Sequence, residues 1–177
     1  SSKETVAKRV EDVKRELEEV LKELARESKR LSDRDKKLNE EAAEEIERLK
    51  DELRKKVRDK DTLEEVLRRL EELLRRLNEH SRDVIRRSED SLRKAADFVR
   101  RLKETADKLL EELKRVDDDE VLERIVKRVR DLVEEIKRRL EKLAEDNRRL
   151  SKRNEDVIRT LLEEARKLVE KVKEEVR

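Results

Sequence analysis

The chain contains no glycine, proline, cysteine, methionine, tryptophan or tyrosine, and only one phenylalanine. Each absence removes a possibility. Turns and helix ends that rely on glycine's left-handed backbone are excluded. So are proline kinks and strands built on aromatic side chains. Zero cysteine removes disulfides, thiol nucleophiles and thiolate metal sites. No apolar run approaches the roughly 18 residues that a membrane helix needs, and no signal peptide is visible. The compartment stays undetermined.

What remains is charge and aliphatic side chains. Charged residues make up 58 % of the 177 residues, against about a quarter in ordinary globular domains. Lys plus Arg number 52 and Asp plus Glu 50. The signs are interleaved, so no extended basic face forms, which argues against nucleic acid as a partner. The disorder signature pairs low hydrophobicity with high net charge, and the second is missing. Leu, Ala, Glu, Lys and Arg are strong helix formers, so the composition predicts an all-α chain.

Two stretches interrupt an otherwise continuous helical pattern, "RDKDTLEE" (58–65) and "RVDDDEVLE" (115–123). In the first, Thr62 with Glu65 reads as a capping box, with Asp61 as an alternative cap. In the second, Asp117 with Glu120 reads as a helix start. Cations at 55, 56 and 58 and at 114 and 115 suit the preceding C-termini. The reading is one domain over 1–177 with helices near 3–58, 61–116 and 118–176, each about 85 Å long. Connections this short force neighbours to run antiparallel. The expected fold is therefore an up-down-up antiparallel three-helix bundle of very long helices. Apolar positions recur every ~3.6 residues rather than the 3.5 of a left-handed coiled coil, so the helices are expected to be nearly straight. Doublets such as Leu73–Leu74, Ile125–Val126 and Leu161–Leu162 widen each seam into a face that must pack.

The seam thins at one place in every helix. In "ESKRLSDRDKKLNEE" (27–41), Ser28, Ser32, Asp35 and Asn39 fall on the apolar face. In "HSRDVIRRSEDS" (80–91) the same is true of Ser81, Ser88 and Ser91, and in "EDNRRLSKRNED" (145–156) of Asn147, Ser151 and Asn154. The two breaks set the level at which antiparallel helices meet. Folded on them, Asn39 lies level with Ser81 and Asn154, Ser32 with Ser88 and Asn147, Ser28 with Ser91, and Asp35 with Ser151. The ten residues are expected to form a buried polar network. A uniform aliphatic core can slip by a turn at little cost, whereas a slip that strands a buried hydroxyl or amide costs about 1–3 kcal/mol per group. The polar layers thus specify register.

No reaction chemistry stands out. His80 is the sole histidine and neighbours Ser81, with Asp35 close in level, yet adjacent helical residues point about 100° apart and no oxyanion nest accompanies them. The Glu-x-x-His spacing of helical metal sites fails because position 77 is Leu. His80 reads as a boundary residue bonded to the network or to water. "RRSED" (86–90) has the look of a kinase site, but Ser88 is expected to be buried. Phe98 reads as packing. No catalysis, cofactor or metal is expected, and no partner is required.

Matched helices, glycine-free acidic connections, Arg/Glu/Lys surfaces, aligned Ser/Asn layers and segments such as "LARESKRLS" (24–32) and "HSRDVIRRSEDSLRKA" (80–95) together resemble de novo designed helical bundles. Within that class the chain resembles bundles with buried hydrogen-bond networks, including LOCKR-type cage scaffolds. The resemblance spans the whole chain and implies two roles. One is a self-contained monomeric scaffold. The other is a helix-binding host, since in caging scaffolds a latch helix is held and a key helix displaces it. Apolar residues number 17, 20 and 21 in the three helices, so the first has the leanest face, which suits an incomplete partner set.

Overall fold

Three segments of strong helix formers, uninterrupted by glycine or proline, give three long helices. The computed structural model describes residues 2–176. It is an all-α three-helix bundle in which every pair of helices makes contact. The helices are α1 (Lys3–Lys56), α2 (Lys60–Lys114) and α3 (Asp119–Glu175), and no described residue lies in a strand.

The helix ends differ slightly from the sequence reading. Asp59, rather than Thr62 or Asp61, caps α2: its carboxylate accepts from the Thr62 amide at 3.2 Å and from the Thr62 hydroxyl at 2.5 Å. Those bonds hold the Asp59 carboxyl below its ordinary range. Asp118, rather than Asp117, starts α3 and accepts from the Glu120 amide at 3.0 Å. In each case the cap sits immediately before the first helical residue, where a short carboxylate reaches the exposed amides of the first turn. Helices end without glycine because no described residue adopts a positive φ. The last turn of α2 tightens instead, with Arg115 and Val116 amides donating to the Glu112 and Leu113 carbonyls at 3.1 and 3.3 Å. Val57 and Val116, just past the helix ends, are buried and pin the connections to apolar side chains.

Packing divides the chain into two compact units. One comprises Ser1–Lys29 with Glu89–Asn147, the other Arg30–Ser88 with Arg148–Arg177. Each draws on all three helices and has its own aliphatic core. The first unit buries Val10, Leu17, Ala106, Leu109 and Val129 among others. The second buries Ile46, Leu53, Leu70, Leu77, Ala165 and Val169. Ion pairs at the rims report the directions in which neighbouring helices run. In the first unit Lys14 pairs with Asp107 and Glu18 with Lys103, so α1 and α2 run antiparallel. In the second, Arg34 pairs with Glu155, Glu45 with Arg166 and Glu52 with Lys173, so α1 and α3 run parallel. Such exposed pairs are worth at most about 1 kcal/mol each, so the cores carry the stability and the pairs follow the register.

Ile46 is fully covered while Leu49, one turn on, is only half-buried. Truncating Ile46 to Ala is expected to cost about 2–5 kcal/mol by leaving a cavity. Leu49→Ala should cost clearly less. Urea denaturation of the two variants, followed by helicity, checks the order.

Candidate functional site

The candidate site is the polar cluster of the second unit, where short polar side chains replace leucine and valine on three helical faces. Serine and asparagine are mediocre helix formers because their side chains compete for backbone hydrogen bonds. They stay helical here because strong formers flank them on both sides.

The structure places the ten expected network residues unevenly. Asp35, Asn39, Ser151 and Asn154 are buried in the second unit, and Ser28 and Asn147 are buried in the first. Ser32, Ser81, Ser88 and Ser91 are only half-buried, which corrects the expectation of a fully buried set. Side-chain length does not set the depth, because Ser28 and Ser151 are equally short and buried; the cover depends on the neighbouring side chains. In the α2 stretch Val84 is the residue that is buried, with the serines on either side of it.

One bond joins two of the expected partners at the level foreseen. The Ser151 hydroxyl donates to Asp35 Oδ1 at 2.9 Å, linking α3 to α1 with both residues buried, at 5 % and 4 % exposure. Burial lifts the Asp35 carboxyl above its ordinary 3.8, and Glu155 adds to that. Ser151, Asn154 and Arg34 pull the other way. His80, on α2, is half-buried. Burial holds its imidazole below the ordinary 6.5, with Asp83 opposing and Arg153 and Arg87 reinforcing, while nearby Asn154 favours the cation. Asn154 has no exposed surface at all. It stands near enough to influence both Asp35 and His80, yet neither Nδ2 nor Oδ1 completes a hydrogen bond of ordinary geometry. Asn39 Oδ1 and His80 Nε2 are likewise buried without a partner.

The chemistry of this arrangement is that of an internal network. Ser151 gives its hydrogen to a carboxylate, with no imidazole interposed as a base, so the Ser–His–Asp order of an activated nucleophile is not met. Among the described residues no group of three or more His, Asp or Glu side chains is placed to hold a metal ion. No described helix is long and apolar enough to cross a membrane. Phe98 belongs to the first unit's core, with the Arg139 guanidinium 4.8 Å from its ring centroid.

Lys50 escaped the sequence reading. It is 5 % exposed, its ammonium bonded to Glu71 of α2 and to Glu47 at 3.3 Å. The signal was present: Lys50 lies one turn beyond Ile46, closer to the centre of the apolar face than Leu49. A lysine stem covers apolar surface while its ammonium reaches the rim.

No protein-family model matches the chain, and no curated protein or solved structure is significantly similar to it.

The His80 shift has a measurable sign. With a folded value below 6.5, the unfolded chain takes up the proton first, so the His80 contribution to stability is present above 6.5 and is lost as pH falls through the lowered folded value. Asp35 has the opposite sign: its contribution is present below 3.8 and is lost as pH rises through the raised folded value. Between about pH 7 and pH 5 the unaltered chain should therefore lose more stability than His80→Gln, as urea titrations at stepped pH would report.

Proposed function

We propose that the chain is a designed structural scaffold without a biochemical activity of its own, its helix register specified by buried polar positions. The observation that carries this reading is the Ser151–Asp35 hydrogen bond, a directional contact inside an otherwise aliphatic interior and between the residues that the helix breaks bring level. The composition supports it too: a 58 % charged chain that dispenses with seven residue types, glutamine among them. Closure within each unit favours a self-contained scaffold, since among the described residues Val176 is the exposed large hydrophobic side chain. That leaves little uncovered apolar surface to recruit another helix.

A second reading, a host for a latch, key or partner helix, draws on one feature. An open groove between α1 and α2 of the second unit has Ala43 and Leu74 in its lining, amid Glu44, Glu47, Arg68 and Arg75. Light scattering behind a sizing column separates the two. A mass near 21.4 kDa at every concentration fits the closed scaffold, and a concentration-dependent dimer fits the host.

The register role has its own test. Replacing Asn39, Ser81, Asn147 and Asn154 together with Leu or Ala should raise stability, since Asn39 and Asn154 hold buried atoms without partners and each such group costs about 1–3 kcal/mol. The same replacement should yield oligomers or mixed registers. A clean monomer with unchanged helix pairing would remove the register role.

A further inference from the structure

Among the described residues, the second unit holds four buried side-chain polar atoms without partners, and three of them sit on two residues: Asn154 Nδ2, Asn154 Oδ1 and His80 Nε2. Asparagine 154 is wholly enclosed, so solvent cannot satisfy it. Its neighbours on the other two helices are Asp35 and His80. The chemistry of those neighbours permits one orientation. A carboxylate only accepts, so the carboxamide must turn Nδ2 toward Asp35. Oδ1 then faces His80 and needs a hydrogen, which the imidazole supplies only if Nε2 carries it. The torsion that turns the carboxamide is broad for asparagine, so the turn is inexpensive.

We propose that Asn154 bridges Asp35 of α1 and His80 of α2, Nδ2 donating to the carboxylate and Oδ1 accepting from the His80 Nε2–H, and that it thereby joins the protonation states of the two. The chain of bonds then runs Ser151 hydroxyl to Asp35, Asp35 to Asn154, Asn154 to His80, and crosses all three helices of the unit. It satisfies three orphaned atoms at once. Every link has one direction: each donor hydrogen points toward Asp35 from Ser151 and Asn154, and toward Asn154 from His80. A proton arriving on His80 enters at Nδ1, the nitrogen that the bridge leaves without one, and the cation strengthens the bond to Oδ1. The resulting polarisation of the carboxamide strengthens the Nδ2 bond to the carboxylate. Histidine 80 and aspartate 35 thus favour their charged forms together. The groups facing the pair are Arg34 on α1, Asp83 and Arg87 on α2, and Arg153 and Glu155 on α3. Mixed in sign, they leave the bridge as the specific link. This coupling goes beyond the scaffold reading and does not rest on it.

Proton–nitrogen correlation spectra of the unaltered full chain at neutral pH test the bridge directly. Expected are a hydrogen on His80 Nε2, exchanging slowly enough to be observed, and cross-relaxation between it and the Asn154 carboxamide. A hydrogen on Nδ1 with Nε2 bare overturns the proposal, as does cross-relaxation to water in place of Asn154. Asn154→Leu supplies the second arm. The Nε2 hydrogen should become fast-exchanging, the Asp35 carboxyl should titrate at higher pH and the imidazole at lower pH. Mere loosening of the unit would return both toward 3.8 and 6.5, the opposite directions, and that outcome, or movement of only one group, overturns it. If the variant does not fold, the spectra of the unaltered chain decide.

Discussion

Every helix here has an apolar stripe that it cannot cover by itself, and the remainder of the structure follows from that. The chain is charged at more than half of its positions, so a lone helix would be soluble and well supported by pairs one turn apart, yet its stripe would stay in water. Within each unit the stripe of each helix is covered by the other two. Caps, rim ion pairs and buried valines at the connections then settle where the helices end and which residues meet. Their individual contributions are small beside that of Ile46, Leu70 or Leu109 in a closed core.

Aliphatic contacts have little preference for one level over another. A leucine meets a valine or an isoleucine one turn away almost as well. On the proposed scaffold reading, the polar residues of the second unit supply what such contacts lack. Asp35 and Ser151 form a bond only when α1 and α3 meet at one level, and Asn154 has Asp35 and His80 as neighbours on two helices only when both are in place. The same burial that makes these groups selective moves Asp35 and His80 away from their ordinary titration ranges. Register and proton sensitivity are in this sense one property, since both arise from polar atoms held out of water.

The fold was legible in the sequence because length, spacing and the two breaks are long-range patterns that single residues cannot disguise. The pairing of Asp35 with Ser151 was legible for the same reason: the breaks set the levels. Cap identity was less so, because Asp59, Asp61, Thr62, Asp117 and Asp118 all have suitable side chains, and a shift of one to three residues changes which amides they reach. Depth of burial was not legible for the α2 serines, whose direction is given by periodicity but whose cover depends on neighbours. Lys50 was passed over because a charged residue on an apolar face looks like an interruption until the rim carboxylates of Glu47 and Glu71 are known to be within reach. The orphaned atoms of Asn154 belong to a level of detail, the turn of a single carboxamide, that no pattern of residues encodes.

Phe98 and His80 lie in different units. With tryptophan and tyrosine absent, the chain is almost dark to near-ultraviolet absorption and intrinsic fluorescence, and its helical signal does not tell one unit from the other, but it is not without internal reporters. The benzene ring of Phe98, under the Arg139 guanidinium, senses only the packing around it, and the imidazole of His80 senses only its own. Three helices run without interruption through both units, so whether they melt as one body or as two is a question about cooperativity along a continuous backbone. The molecule carries a separate natural label for each possible answer.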